Sequence, residues 1–464
     1  MNKLILPLIF SLLLAGCAVG PNYQRPGIDV PGHYRGLAAY DIEGAQSVSI
    51  GDEKWWEVFQ DKTLQDLIHT ALEQNFDLRI AADHILEAQE QLNITNSYEL
   101  PTITAGAMPS VERYEKIRTT NAYTWGSYQL TGSFSWDIDF WGQGRRMIES
   151  SKANLLATQW AREEVIRTLI ADVANAYFQL RELDLELEIS KSTLKSRQDS
   201  LGLVQQLADH GSASMLDVRQ AQQLVYTAAE NVPDLERRIQ QQENLISILL
   251  GNNPGPIKRG EALIQEPHAP QVPAGIPSSL LDRRPDILQA EQQLISYNAQ
   301  IGVAEAAYFP QITLTATGGF QSAALSKLFS GPSGLWDFAA TLTQPIFNAG
   351  RIRAGVKFAK AQQQEALHDY QKTIQEAFRE VSDALIAYRK TQEFTTQQDL
   401  LTQAAKDAVR LSQLRYQGGT SSYLDVLESN TTYFSAELGL AQARLNELQA
   451  LVGLYEALGG GWNN

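Results

Sequence analysis

The chain contains two copies of one unit. Three motifs recur at an offset of about 208 residues: Asp77–Ala81 with Asp286–Ala290, Leu100–Thr104 with Phe309–Thr313, and Gly211–Val218 with Gly419–Val426. Because the offset stays nearly constant, the two halves are tandem copies rather than the three independent domains that a length of 464 residues suggests.

Each copy is predicted to contain a helix, two strands and two long helices. The predicted strands cover about 100–112 and 124–139 in the first copy and about 310–322 and 335–347 in the second. Between Ser127 and Asp139, polar residues alternate with apolar ones such as Leu130 and Phe134. This alternation, over about the ~9–11 residues that a tilted strand needs to cross a bilayer, predicts membrane-crossing strands with one polar face.

The long helices are predicted at about 144–210 and 212–250, and again at about 350–417 and 420–458. A helix of ~67 residues is ~100 Å long. Apolar residues in the first helix of each copy follow a heptad pattern, which predicts coiled-coil packing: Ile166, Ile170, Val173, Tyr177 and Leu180, and Ile374, Phe378, Val381, Leu385 and Tyr388. Pro233 is expected to kink or break the helix at 212–250.

The N-terminus has the pattern of an export signal. Lys3 precedes an apolar run from Leu4 to Leu14, and the junction Leu14-Ala-Gly-Cys17 resembles the bacterial lipoprotein signal. We therefore predict a signal peptide over 1–16 and a lipid on Cys17, with Ala18 fitting the pattern for sorting to the outer membrane. An ordinary signal peptide with a chance cysteine is the alternative.

Composition disfavours most other classes of protein. The formal net charge of −15 argues against a nucleic-acid partner, and a single cysteine and six scattered histidines argue against a metal site. No nucleophile or carboxylate constellation supports an enzyme, so a lipoprotein hydrolase is a weak alternative and no cofactor is expected. Only the N-terminus has an apolar run approaching the ~20 residues of a spanning helix.

Charged residues near the strand ends have predicted roles as well. Arg145, Arg146, Arg351 and Arg353 follow the second strand of each copy and are expected to contact lipid headgroups where strand becomes helix. A role in lining the pore is the less favoured alternative. Asp137 and Asp139 occupy polar positions of the alternating pattern in their strand, and both are expected to face an acidic lumen.

Four strands cannot close a membrane barrel, since the smallest single-chain barrels have about eight. An open sheet edge in hydrocarbon would leave backbone groups unpaired at several kcal/mol each. Several copies must therefore combine their strands, and two, three or four copies are all allowed by this argument. The long helices would then extend the barrel into a conduit.

The sequence resembles the outer-membrane efflux channel family, the TolC-like outer-membrane factors, in its lipoprotein branch. The residues that carry the resemblance are Leu14–Cys17, Arg283–Asp286, Gln344–Gly350, Leu424–Leu427 and Ala457–Trp462. The resemblance implies an α+β membrane protein: a homotrimer with a 12-stranded transmembrane β-barrel, continued by a long α-helical periplasmic barrel. A mixed equatorial domain would contain the proline-rich connection 251–285, the segment 17–60 and the tail 459–464. Repeat 1 then covers 61–250 and repeat 2 covers 286–458.

The resemblance also places a closed gate at the periplasmic helix turns. The gate candidates are Arg415, Tyr416, Leu424, Asp425, Glu428 and, in the first copy, Asp217. Three copies of Leu424 would form a dewetted constriction, and rings of Asp425 or Glu428 would favour cations. Asp217 and Asp425 have an alternative role as helix caps. Gly211, Gly418 and Gly419 allow the reversals and are the expected contact with an adaptor.

The predicted function is the outer-membrane channel of a tripartite efflux pump, a passive gated exit duct for drugs, solvents or metal ions. The implied partners are a periplasmic adaptor (membrane fusion) protein, an inner-membrane pump of the resistance–nodulation–division or major facilitator type, and outer-membrane lipid. Two alternatives remain. One is the duct of a type I protein secretion system. The other is a structural periplasmic lipoprotein, which would need no alternating strands.

Overall fold

The computed structural model describes residues 18–35, 49–115, 122–260, 263 and 275–462. The predicted signal peptide over 1–16 and the predicted lipid site Cys17 lie outside the described residues. The described chain forms two compact units. Unit 1 combines 1–27, 83–159 and 289–371, and unit 2 combines 28–82, 160–288 and 372–464. Among the described helices, none is both long and apolar enough to cross a membrane.

The elements follow the same order in both copies, after a short helix α1 (Trp55–Val58) that precedes the first. The first copy contains α2 (Lys62–Gln74), α3 (Phe76–Ser97), β1 (Thr102–Tyr114), β2 (Tyr123–Ile138), α4 (Gln143–Asp209) and α5 (Met215–Leu249). The second contains α6 (Pro277–Arg283), α7 (Pro285–Ala306), β3 (Gln311–Ser322), β4 (Gly334–Thr343), α8 (Arg351–Gln417) and α9 (Tyr423–Ala457). Both α4 and α8 have 67 residues, and both α5 and α9 have 35.

The sheet lies in unit 1 and has the antiparallel order β1-β2-β3-β4. The neighbours β2 and β3 come from different copies, and their register pairs Phe134 with Ala316. The same row continues to Ile103 in β1 and to Phe338 in β4. The four strands are therefore in one register across the copy boundary.

The fourth strand is shorter than predicted. The sequence pattern extended it to about 347, but β4 ends at Thr343. Pro345 has no N–H to donate to a neighbouring strand, so the ladder stops before it. Ile346, which the predicted range of the strand included, lies beyond β4 and is exposed. Ala349 and Gly350 then have positive φ (50° and 83°), reversing the chain before α8.

Pro233 does not break its helix. The prediction from the sequence is a kink or a break. A break is wrong, because α5 runs from Met215 to Leu249 with Pro233 inside it, whereas a kink stays a prediction. A proline in a helix interior costs roughly 3 kcal/mol. The flanking turns bury Ala228 and Leu235, and this packing holds the helix together on both sides of the proline.

The heptad positions form the core of the long helices in unit 2. Ile170, Tyr177 and Leu180 of α4 and Ile374 and Val381 of α8 are all buried, at 0–2% exposure. The hydroxyl of Tyr177 donates to Asp61 at 2.5 Å, and it accepts from the backbone N–H of Gly260 at 3.0 Å. The predicted seam is therefore the packed face, with a polar contact to the chain before α2.

A buried arginine ties together three parts of unit 2. Arg284, between α6 and α7, is almost fully buried, and its guanidinium lies 2.7 Å from a carboxylate oxygen of Asp286 and 2.7 Å from one of Glu380. It also donates to the carbonyl of Ala457 at the end of α9, at 3.2 Å. The tail beyond α9 is held as well, because the indole of Trp462 donates to the carbonyl of Arg283 at 2.9 Å.

We expect Arg284→Ala to destabilise the protein by roughly 3–5 kcal/mol, because it leaves two partly buried carboxylates without their cation. The matched control is Arg410→Ala. Arg410 is exposed and pairs with Asp407 at 3.4 Å, so its loss should cost no more than about 0.5 kcal/mol. Urea unfolding of the purified variants measures both. Equal losses would contradict the role given to Arg284.

Candidate functional site

The sheet has one apolar and one polar face. Paired residues of neighbouring strands share a face, and the register puts Phe134, Ala316 and Phe338 in one row and Ser133, Thr317 and Asp337 in the next. The alternation therefore stays in phase across all four strands. A sheet of this kind suits a wall with lipid on one side and water on the other.

Both edges of the sheet lack a neighbouring strand within the chain. Among the described residues, β1 pairs with β2 alone and β4 pairs with β3 alone. These edge strands have 13 and 10 residues. An edge of that length exposes a row of N–H and C=O groups that cannot remain unpaired in hydrocarbon. The edges are therefore where a further strand must join.

Aromatic rings gather where the strands meet the helices. The ring of Trp141 stacks on Phe309 with centroids 4.7 Å apart and meets Phe140 edge-on at 4.9 Å. The indole N–H of Trp141 donates to the carbonyl of Pro310 at 2.8 Å. An apolar ring with a satisfied polar group is the type of side chain that membrane interfaces collect.

The segment 18–27 is fixed to unit 1 near the same strand end. The N–H of Val19 donates to the carbonyl of Trp141 at 3.0 Å. The guanidinium of Arg146 donates to the carbonyls of Val19 and Gly20, each at 3.1 Å, and to Oδ1 of Asn22 at 2.9 Å. Arg146 is buried at 4% exposure, so the prediction that it contacts lipid headgroups is wrong for this residue. Its guanidinium satisfies backbone carbonyls instead.

Asp139 does not belong to the strand. β2 ends at Ile138, and the Asp139 carboxylate accepts from the backbone N–H of Arg145 at 3.0 Å and from its guanidinium at 3.3 Å. Asp139 therefore satisfies an N–H in the first turn of α4, so its predicted place in the strand is wrong, whereas its place in the lumen stays a prediction. Asp137 remains on the polar face of β2, where it pairs with Thr313.

The two hairpin tips have the same backbone. Gly211 and Gly419 both have positive φ (76° and 68°). In each tip the residue after this glycine donates its N–H back to the last helical turn: Ser212 to Leu207 at 2.8 Å and Thr420 to Arg415 at 2.9 Å. This is the usual helix ending at a left-handed glycine. Gly418 does not have a positive φ, so a glycine is needed only at Gly211 in the first turn and at Gly419 in the second.

The caps of the two tips differ. Ser214 and Asp217 form a capping box, with the N–H of Ser214 donating to the Asp217 carboxylate at 2.9 Å and the N–H of Asp217 donating to the Ser214 hydroxyl at 3.2 Å. Ser422 makes no such side-chain bond at the start of α9. The capping interpretation therefore applies to Asp217. The carboxylate of Asp425 receives no hydrogen bond or ion pair from the described part of the chain.

An apolar cluster packs the two tips against each other. Its buried members are Val204, Val218, Ala221, Tyr423 and Val426. Tyr416 contacts this cluster, with its ring 5.3 Å from that of Tyr423 at 62°. Burial raises the pKa of both tyrosines, and the charge of Asp217 raises each further. The Tyr416–Tyr423 ring contact lies within the second hairpin, across its turn. Tyr423, which the sequence reasoning had not selected, is a buried member of the cluster that packs this hairpin against the first.

The model of the outer membrane efflux protein family matches the chain twice, over residues 67–252 and 276–460. The chain belongs to this family. Two matches to one model, about 209 residues apart, confirm the internal repeat.

Relatives of this efflux protein share its whole length. TtgC of Pseudomonas putida, named a probable efflux pump outer membrane protein, is 36% identical over 467 residues, covering 100% of this chain and 96% of its own. CusC of Escherichia coli, named a cation efflux system protein, is 32% identical and covers 99% and 98%. The open state of the Neisseria gonorrhoeae MtrE outer membrane channel superposes with a TM-score of 0.86 at 31% identity, covering 96% of this chain and 99% of that one. The predicted fold class and the outer-membrane efflux function are confirmed.

The remaining gate candidates of this efflux protein lie on the surface of the chain. Arg415, Leu424, Asp425 and Glu428 are all exposed. Leu424, Asp425 and Glu428 lie together within the first two turns of α9, whereas Arg415 precedes the turn. Their part in a gate stays a prediction. Leu216, at the matching position of the first copy, is also exposed and was overlooked, although the repeat aligns it with Leu424.

A second group that sequence reasoning missed is the fully buried Glu182 of α4. Its Oε2 accepts from the side chain of Gln179 at 2.9 Å, whereas its Oε1 has no hydrogen-bond partner among the described residues. Burial raises the pKa of Glu182 to about 8, the negative charge of Glu186 adds to the rise, and Arg238 of α5 opposes it. A protonated Glu182 would donate from Oε1 to Glu186, which satisfies the buried atom.

This protonation makes stability depend on pH. The folded protein holds a proton on Glu182 between pH 4.5 and about 8, where the unfolded chain has released it. We therefore expect the melting temperature of the wild type to fall relative to Glu182→Gln as pH rises through this window, because glutamine stays neutral. Thermal unfolding from pH 5 to 9 measures the difference. Glu188→Gln, an exposed position on the same helix, should titrate like the wild type, and a pH-independent difference for Glu182→Gln would refute the prediction.

Proposed function

We propose that this chain forms a passive, gated exit duct as a homotrimer, anchored to the outer membrane by lipid on Cys17. The observation that supports it most strongly is the four-stranded sheet. Its alternating faces are in register, and both of its edges lack partners within the described chain. Helix pairs of 67 and 35 residues belong to the same chain and would continue a barrel as a tube.

Three copies are the state we propose for the barrel. A closed ring joins the β4 edge of one chain to the β1 edge of the next, so that every strand has two neighbours. Three chains then supply ~12 strands, which leaves an interior wider than the side-chain-filled barrels of about eight strands. Geometry alone also allows two or four chains, and the likeness to the outer membrane channels favours three.

The gate is proposed at the two hairpin tips. The tips pack through the apolar cluster that joins Val218 and Ala221 to Tyr423 and Val426, with Tyr416 against it, and this packing would hold the second hairpin closed against the first. Leu424 and Asp425 are exposed beside it, where three copies would form an apolar ring and an acidic ring. Opening would then require the hairpins to separate without unfolding.

The proposed partners are those of a tripartite pump. A periplasmic adaptor would contact the exposed tips at Gly211, Gly418 and Gly419, and an inner-membrane pump would supply the energy. The relatives are named for solvent, antibiotic and cation efflux, so drugs, solvents and metal ions are the proposed classes of cargo. The duct of a type I protein secretion system is the alternative within the same architecture.

The lipid anchor has its own test. We expect the mature N-terminal peptide to begin at Cys17 and to carry the mass of the acyl chains, because the junction Leu14–Cys17 has the lipoprotein pattern. Mass spectrometry of the protein purified from membranes measures this. Cys17→Ala should lose the added mass. An unmodified Cys17, or cleavage elsewhere, would contradict the anchor.

Single-channel conductance in a planar bilayer tests the duct. We expect purified particles with the mass of three chains to show openings of small conductance that favour cations. The reason is that the carboxylates of Asp425 and Glu428 would line the narrowest part of the proposed duct. Asp425→Ala with Glu428→Ala should weaken the selectivity. Arg415→Ala with Tyr416→Ala should raise the conductance several-fold, because it removes a ring that packs against the cluster between the hairpins.

The control is Arg410→Ala, an exposed arginine earlier in α8 that pairs with Asp407 at 3.4 Å. It should conduct like the wild type. If the variant with loosened tips stays silent in the bilayer, the channel function fails and the structural lipoprotein takes its place. Transport of a whole protein substrate through the reconstituted system would favour the secretion duct.

A further inference from the structure

The polar face of the sheet carries carboxylates but no cations among the described strand residues. Glu112 of β1, Asp137 of β2 and Asp337 of β4 all have the parity of this face. The strands contain one basic residue, Arg113, and its parity places it on the apolar face. The face that encloses the proposed pore is therefore uniformly acidic.

The register sets the heights of the three carboxylates. Asp337 pairs with Thr317 of β3, which in turn pairs with Ser133 of β2, so Asp337 and Ser133 lie at the same height in the sheet. Ser133 is four residues from Asp137 along β2. Glu112 lies level with Trp125, eight residues further along β2. At ~3.4 Å per residue, these separations are about 13 Å and 27 Å along the strands. One carboxylate therefore lies at the helical end of the sheet, one in the middle and one at the loop end.

Two of these charges are not neutralised within the chain. The Asp137 carboxylate accepts from the hydroxyl of Thr313 at 2.6 Å, which orients it without cancelling its charge. Asp337 pairs in register with another hydroxyl residue, Thr317. No described lysine or arginine forms an ion pair with Asp137 or Asp337. Hydroxyl neighbours on a water-facing wall leave the full negative field in the enclosed space.

We propose that Asp337 and Asp137 are specificity-determining residues of the barrel, making its lumen favour cations over anions independently of the periplasmic tips. The inference rests on the proposed trimeric duct, in which each residue occurs three times around the wall. Two rings about 13 Å apart are separated by little more than the ~10 Å Debye length at 0.1 M salt. Their fields therefore act on a molecule along most of the inner half of the barrel.

Reversal potentials in a potassium chloride gradient test this inference. All variants are made in the background Asp425→Ala with Glu428→Ala, so that the tips no longer contribute. At 0.1 M salt we expect Asp137→Asn with Asp337→Asn to lower the potassium-to-chloride permeability ratio about threefold, and Asp337→Lys to lower it further. In 1 M salt, where the Debye length is ~3 Å, the difference should shrink strongly.

The controls separate charge from shape. Asp337→Glu keeps the charge and should keep the ratio, and Thr317→Val changes a lumen neighbour of the same size and should also leave it unchanged. A ratio that stays the same in the double asparagine variant while the channel still conducts would overturn the inference and leave the duct intact. A channel that does not conduct in any variant, including one with loosened tips, would instead overturn the proposed function.

Discussion

Every strand needs a hydrogen-bonded neighbour on both sides when its surroundings are hydrocarbon, and this requirement governs the protein. Each chain satisfies it only for β2 and β3, because β1 and β4 are edges of the sheet. The missing partners must come from further copies, so assembly follows from the backbone rather than from a particular side chain. Closing the ring also decides which face becomes the wall of the pore. The alternation of residues then places hydroxyl groups and carboxylates inside.

The repeat conserves backbone geometry while the side-chain chemistry diverges. Gly211 and Gly419 end their helices in the same left-handed turn, and α5 and α9 have equal lengths. Asp217 is bound in a capping box, whereas Asp425 is left exposed. Tyr416 packs between the hairpins where the first copy has Ala208. A duplicated fold can in this way keep one structural tip and adapt the other to a gate.

Buried charge distinguishes the helical parts of the molecule from simple coiled coils. Arg146, Arg284 and Glu182 are each almost inaccessible to solvent, yet each directly follows another charged residue, an arginine, in the sequence. Arg146 and Arg284 satisfy backbone carbonyls and carboxylates from distant segments. Glu182 has one oxygen without a hydrogen-bond partner among the described residues. Burying such a group is costly in free energy unless all of its hydrogen-bond and ionic partners are present. Each group therefore favours the one packing of helices and segments that supplies those partners.

The sequence alone determined the repeat, the four strands, the heptad seam and the glycine turns, because each depends on local periodicity or on the φ angle of one residue. It also determined the family, since the motifs that carry the resemblance are contiguous. Only the tertiary structure decided that Arg146 binds the segment 18–27, that Tyr416 meets Tyr423, and that Glu182 is buried beside Glu186 and Arg238. It also decided that Asp139 lies beyond the strand and binds Arg145. Some of these contacts join segments far apart in the chain and others cross a single turn, and neither periodicity nor composition encodes which group a side chain will reach.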